Sequence, residues 1–451
     1  MDDPNSHPSA SAGAPTVQPP HAPRQSLWAR GSGMFYGWKI VAASAGIQML
    51  SASLLGYAFG QYVVLLSREF GWSKTAISAA SSLREAESGV LGPVQGYLLS
   101  RFGPRRICQV GIVIFALGFF LFSLVQTLPQ FYGAFLVMAV GASLSGYLTL
   151  TYAAVEWFER KRSTAISLTA GGMAIGGVVV RITVMSLETF GWRETAVFSG
   201  IIMLLVGLPL AQVIRFHPSD MGLHPDGIDP ATEAPLAPGE VRRSTATTYE
   251  FSLREAVRTR AFWFIGLGHA SSLFIVSAIN VHLISHLTES LGYTLGYAST
   301  IVLPLPMLFM AGTLLGGPLG DRYDKRWLVV ICMFMHATGI LVLAYAQNVE
   351  MVLAFQVLHG LAWGFRGPQM AAIRADYFGR KSFATILGVS NLIIIIGTIS
   401  GPVIAGYMYD RTGNYQIGFV ILAAIAAAGS IFFVLGTPPP PPVTAPQPTS
   451  A

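Results

Sequence analysis

A chain of 451 residues that is 52% hydrophobic and only 11% charged, with mean hydropathy +0.55, is too apolar to fold as two or three soluble domains. Its net charge of +6 is carried by short loops between apolar runs, which argues against a nucleic-acid surface. Cys108 and Cys332 both fall inside apolar runs and say nothing about redox compartment.

Lipid is the solvent this composition suits, and there only helices or closed barrels satisfy the backbone. Apolar runs reach 20 residues without period-2 alternation, so an all-α membrane protein is expected. Residues 1–33, rich in Pro, Ser and Ala and lacking the apolar stretch of a signal peptide, read as a disordered cytoplasmic tail. Six spans follow, near 37–66, 76–99, 106–126, 130–156, 164–188 and 194–214, forming an N-terminal bundle over 34–214. Residues 215–260, with Pro218, Pro225, Gly227, Pro230, Pro235 and Pro238, read as a flexible cytoplasmic linker. Six more spans, near 261–287, 294–320, 327–346, 350–373, 383–409 and 415–436, make a C-terminal bundle over 261–436. The Pro-rich stretch 437–451 is expected to be disordered.

Charge sets the expected orientation. Arg101, Arg105, Arg106, Arg160, Lys161, Arg162, Arg322, Lys325, Arg326, Arg374, Arg380 and Lys381 lie in alternate loops, and the linker adds more. The opposite loops hold only Arg68, Lys74, Arg193 and Arg411. The positive-inside rule then makes the basic loops and both termini cytoplasmic.

Two loop signatures recur about 220 residues apart. Gly96-Tyr97-Leu98-Leu99-Ser100-Arg101-Phe102-Gly103-Pro104-Arg105-Arg106 answers to Gly317-Pro318-Leu319-Gly320-Asp321-Arg322-Tyr323-Asp324-Lys325-Arg326. Trp157-Phe158-Glu159-Arg160-Lys161 likewise answers to Tyr377-Phe378-Gly379-Arg380-Lys381. A duplicated six-helix bundle is the architecture of a secondary transporter whose substrate sits between its halves.

Twelve spans in two halves, with this glycine- and arginine-rich loop after span two, resemble the major facilitator superfamily over residues 34–436. Local strings are similar to its bacterial branch near the monocarboxylate transporters and oxalate–formate antiporters. They are Tyr36-Gly37-Trp38, Glu69-Phe70-Gly71-Trp72-Ser73, Gly191-Trp192-Arg193 and the run from Pro218 to Gly227. The resemblance implies a cytoplasmic gate formed by Gly96, Ser100, Arg101, Gly103, Arg105, Arg106, Gly317, Asp321, Arg322 and Arg326. It also implies an acid where this chain has Ser100, so a weaker first-half latch is expected, with Arg101, Arg105 and Arg106 meeting helix carbonyls.

Charges inside the spans are few: Arg84, Glu85, Glu87, Arg181 and Arg366. Each costs about 2.5–3.5 kcal/mol at mid-membrane, so they are expected to face the bundle interior. Arg84 and Glu87 share a helical face and can pair. The resemblance places span ten on the central cavity, which makes Arg366 a candidate for a guanidinium that grips a carboxylate in two hydrogen bonds. The alternative, an arginine bonded to helix carbonyls or to an interhelical acid, stays open. Gln48, Tyr57, Gln61, Tyr152, Asn280, His282 and Trp363 are further polar candidates. His282 and His286 stand four apart but lack a third ligand, so no metal is expected, and no cofactor.

The expected function is alternating-access transport of a small carboxylate-type anion across a bacterial inner membrane, as proton symport or anion exchange, by a monomer in the lipid bilayer. No nucleic-acid partner is expected, and no nucleophile or phosphate motif suggests an enzyme. Spans eight and eleven lack the basic residues that the branch implies, so a larger neutral or heterocyclic solute, vitamin-like as flavins are, or an efflux carrier stands as the alternative.

Overall fold

The computed structural model describes residues 34–229, 247 and 249–442, apart from the side chains of Lys74, Thr75, Ser78, Ser81, Ser82, Glu85, Leu295 and Ser299. The expected tails at 1–33 and 443–451 and the centre of the linker lie outside these residues. Among those described the elements are helices, and ten are long and apolar enough to cross a membrane.

In the first half these are α1 (Tyr36–Phe70), α2 (Lys74–Ser123), α3 (Leu128–Trp157), α4 (Arg162–Phe190) and α5 (Trp192–Val213). The second half has α6 (Arg260–Ser290), α7 (Gly296–Arg322), α8 (Lys325–Ala344), α9 (Val349–Phe378), α10 (Phe383–Thr412) and α11 (Gln416–Leu435). Where the sequence predicts two spans, 76–99 and 106–126, α2 runs through both with a kink at Gly103. That residue sits at φ 78°, ψ 160°, a conformation that suits glycine, and Pro104 restarts the second arm. A Cβ at Gly103 would approach the Phe216 ring to 2.9 Å.

Each half buries its own apolar cluster. Ile47, Phe115, Phe119, Phe131, Trp157 and Ile166 centre the first; Phe262, Ile275, Met333, Ile340, Phe355 and Phe419 centre the second. The first cluster also takes in Ala371, Ala372, Phe383, Ala384 and Leu387, which belong to the second half. So the halves meet through α9 and α10.

α9 alone among the long helices falls outside the apolar set. It carries Gln356, His359, Arg366, Gln369, Arg374 and Asp376, all buried. The sequence places Arg374 in a basic loop, but it lies within α9, 1% exposed. Its Nε and Nη2 donate to Ser390 Oγ, and Nη1 donates to the Met370 carbonyl 2.7 Å away. Arg162, also expected in a loop, opens α4 and is equally buried.

The linker's described ends are docked rather than loose. Asp226 Oδ2 accepts from the Glu159 and Arg160 amides, and Oδ1 from Lys161. Glu250 Oε2 accepts from the Lys381 amide in the matching loop of the second half. His217 Nδ1 lies 3.0 Å from Glu156 Oε2, and that carboxylate holds His217 above the usual imidazole range. Two of the strings quoted above also meet: Glu69 accepts from Trp192 Nε1 and Arg193 Nη1, and Phe70 stacks on Trp72 at 4.4 Å.

Candidate functional site

Two helix irregularities shape the centre of the first half. In α1, Ala52–Gly56 forms a π turn, with the Tyr57 amide donating to the Ala52 carbonyl at 2.8 Å. Such bulges recur at functional sites because they re-aim side chains. In α3, the helix stops at Leu144 and restarts at Tyr147, with Gly146 extended at φ −95°, ψ −151°. The carbonyls released at that break find donors: Gln95 Nε2 bonds Ser143 O at 2.7 Å, and Thr149 Oγ1 bonds Leu144 O.

Between these irregularities lies a cavity of about 480 Å³. Gln48, Tyr57, Arg84, Gln95, Tyr147 and Asn391 give its wall its polar character. All but Asn391 come from the first half, so the cavity is asymmetric. Arg84 is the one charged residue on this wall among the described residues. Gln48 is 5% exposed and its Nε2 has no hydrogen-bond acceptor. Gln95 and Asn391 were not singled out from sequence, although each is a lone amide in an apolar span.

The other candidates sit elsewhere. Glu87 Oε2 accepts from Ser143 Oγ at 2.9 Å, next to the cavity. The Glu85 side chain is outside the described set. Arg181 and Asn280 are exposed. Gln61 borders a separate pocket of about 210 Å³ with Leu187 and Glu188. His282 Nε2 is 2.9 Å from the Pro402 carbonyl, and Trp363 packs on Phe309 with ring centroids 4.5 Å apart. Tyr152 is buried and stacks on Phe383 across the halves, away from the cavity wall.

Arg366 lies behind the cavity, not on its wall. It is 1% exposed, and its Nε and Nη1 have no acceptor. Tyr147 on the wall and Cys332 on α8 are near enough to interact with it electrostatically. No ion pair among the described residues includes it. An unpaired guanidinium held out of water costs several kcal/mol, and a ligand carboxylate would relieve that cost.

At the end of the molecule that bears the basic loops, the halves are closed on each other. Arg162 Nη1 pairs with Asp376 Oδ1 across the halves, and Lys325 Nζ lies 2.9 Å from Asp376 Oδ2. Asp321 caps α4, its two oxygens accepting from the Ser163 and Thr164 amides at 2.8 and 3.0 Å. Gln369 Oε1 accepts from Ser163 Oγ as well. Arg322 and Arg326 flank the same loop, Arg326 over the Trp327 ring at 5.5 Å.

The duplicated signature is only half duplicated in function. Gly317 packs on α4, where a Cβ would fall 2.8 Å from Thr164 Cα; Gly96 packs on α10, where a Cβ would fall 2.7 Å from Thr385 Cα. Asp321 follows Gly317 by four residues and caps; Ser100 follows Gly96 by four, but its Oγ donates to the Tyr97 carbonyl in its own turn. Arg101 donates to Tyr97 Oη at 3.0 Å rather than to a helix carbonyl. The α10 N-terminus has no side-chain cap. Ser100→Asp is expected to supply that cap, worth about 1 kcal/mol or roughly fivefold in favour of the closed end. Cysteine labelling at the buried position 167, entered as Ser167→Cys, reads it: slower labelling is the expected result, and an unchanged rate counts against the cap.

A family model described as Major Facilitator Superfamily matches residues 41–316 and 267–450. Monocarboxylate transporter 13 of Bos taurus is 24% identical over 399 residues, covering 88% of this chain and 88% of its own. The 3-(3-hydroxy-phenyl)propionate transporter of Escherichia coli K12 is 23% identical, covering 85% of this chain and 88% of its own. Among solved structures, the Escherichia coli fucose:proton symporter FucP superposes with a TM-score of 0.68 at 16% identity, covering 88% of this chain and 98% of that one.

Proposed function

Since the chain belongs to the major facilitator superfamily, and is therefore a multi-pass membrane transporter rather than an enzyme, we propose that it carries a small organic anion of the carboxylate class by alternating access. One observation carries this reading: Arg366 is fully buried with two N–H groups unpaired, within electrostatic reach of Tyr147 on the cavity wall. A carboxylate that enters the cavity and displaces Tyr147 meets a guanidinium already stripped of water. There the Coulomb attraction is several times what it is at a surface. The relatives named for monocarboxylates and for a phenylpropionate support the substrate class.

Counting the two arms of α2 separately, and adding α9 to the ten apolar helices, supports twelve crossings. With the basic loops facing the cytoplasm, both termini are cytoplasmic and the cavity belongs to an outward-facing state in the cytoplasmic membrane. Coupling is then to a proton or to a second anion.

A second reading, a neutral heterocyclic solute, is favoured by the cavity wall itself, where amides, hydroxyls and phenols outnumber its single arginine. Counterflow in proteoliposomes separates the two. Wild type is expected to exchange radiolabelled benzoate or L-lactate, and Arg366→Gln, purified as a folded monodisperse protein, is expected to lose at least tenfold of that exchange. Undiminished exchange removes Arg366 as the anchor. Riboflavin counterflow that survives Arg366→Gln, with none for the acids, favours the second reading.

A further inference from the structure

A pair of buried histidines in the second half lies outside the cavity and its wall. His336 on α8 and His359 on α9 are both 0% exposed, with their Nδ1 atoms 3.0 Å apart. Two rings facing in this way share one hydrogen: a ring protonated at Nδ1 donates, and the other accepts with its lone pair. The outer Nε2 atoms of both rings are buried without a partner. In the neutral pair the donor ring therefore keeps an Nε2 lone pair open, and the acceptor ring keeps an Nε2–H. A proton from hydronium can add at that open lone pair with no bond broken in the protein, leaving an imidazolium hydrogen-bonded to a neutral imidazole.

The surroundings make the charge of this pair depend on Arg366. Arg366 follows His359 by seven residues, two helical turns on the same face, about 10 Å along α9. Cys332 lies one turn from His336 on α8. His269 and His286 stand on α6, the latter with Nε2 3.2 Å from the Leu343 carbonyl, and Tyr147 on α3 is within electrostatic reach of Arg366. Phe355 and Trp363 pack beside the His359 ring, at 5.2 and 6.4 Å between centroids. α11 brings no ionisable side chain, α7 none between Tyr297 and Asp321, and α10 none before Tyr407; Arg374 lies two turns beyond Arg366 on α9. Within this shell the fixed charges are cationic, and no carboxylate of the described residues faces the pair.

We propose that His336 and His359 form the proton-binding site of the carrier, occupied when an anion neutralises Arg366; this rests on the anion reading above. With Arg366 bare, a second positive charge nearby is repelled. With its charge cancelled, that repulsion goes. Two unit charges about 10 Å apart at an effective dielectric near 20 alter proton binding by about tenfold. Linkage is reciprocal, so a protonated pair requires the anion as much as the anion favours the proton. Each then favours the other's binding, which supports proton symport over anion exchange.

The first test needs no substrate. The full-length protein, labelled with 15N-histidine, is titrated by infrared spectroscopy and the imidazolium bands are followed against pH. In Arg366→Gln one histidine component is expected to titrate about one pH unit higher than in wild type, and in Arg366→Gln/His359→Gln that component is expected to be absent. A titration indifferent to Arg366 overturns the proposal, and so does a shifted component that survives loss of His359. The second test uses benzoate: His359→Gln is expected to keep counterflow and to lose accumulation driven by an inward proton gradient. Retained gradient-driven accumulation overturns the assignment, and so does loss of counterflow together with accumulation in a folded protein, which marks a structural pair. Absence of benzoate and L-lactate counterflow in wild type falls instead on the anion reading, and the infrared titration still decides whether the pair answers to Arg366.

Discussion

Asp376→Asn is expected to open the basic-loop end of the protein. Its carboxylate holds Arg162 of the other half and Lys325 of its own, in a setting where the Arg162 and Asp376 side chains are 2% and 4% exposed. Removing one member of a buried pair leaves the other charge uncompensated, at a cost of about 3–5 kcal/mol. When the halves part, Arg162 regains water, so the cost falls on the closed state alone. At about 1.4 kcal/mol per tenfold, the closed-to-open ratio should drop by a factor on the order of 10² to 10³. Ser167 is the reporter: it is 1% exposed and its side chain lies against Gly317 of the opposite half. With Cys108 and Cys332 replaced, Ser167→Cys should be labelled by a polar maleimide at least tenfold faster in the Asp376→Asn background. Equal rates would mean that the pair contributes nothing to closure.

Gly388→Val is expected to bring about the same opening by steric means and to stop transport. A Cβ at position 388 would stand 2.3 Å from the Gly92 carbonyl oxygen and 3.2 Å from Pro93 N. The obstacle is backbone, and the clash comes from the first side-chain atom, so no rotamer escapes it. Overpacking of this kind costs about 1–3 kcal/mol. Because α2 and α10 belong to different halves, separation relieves it without disturbing either core. A folded protein that labels fast at position 167 and fails in counterflow is the expected phenotype. Gly172→Val is the contrast: there a Cβ would fall 2.0 Å from the Ala45 carbonyl within one half. That variant should lose folded yield, since no rigid-body movement of the halves can relieve it. A Gly388→Val protein that transports normally would show that this helix contact is not part of the cycle.

The helical class and the membrane-spanning character of the segments are legible in the chain because each is set by local quantities. Twenty consecutive apolar residues cross a bilayer whatever surrounds them. The recurrence of Gly96 and Gly317 at one offset survives in the structure as two equivalent helix contacts, since only glycine lets backbones approach so closely. Gly103 and Pro104 likewise mark their own bend. Ser100 stands where the second half has Asp321, and its Oγ bonds within its own turn.

Which groups meet was decided by tertiary structure alone. Arg162 and Asp376 are 214 residues apart in sequence, and nothing in either helix names the other. Arg374 reads as a loop cation because it lies four residues from the helix end, yet α9 carries it inward onto Ser390. Tyr152 reads as a cavity residue from its span, but hydropathy in an all-apolar helix does not tell which face meets lipid, cavity or neighbour. His282 and His286 are spaced along one helix, whereas His336 and His359 come together from two, which no spacing in the sequence shows. A period of 3.6 residues assigns faces within one helix; only packing decides what each face confronts, and in a low-dielectric interior that pairing fixes whether a charge is paired, waiting for a ligand, or ready to take a proton.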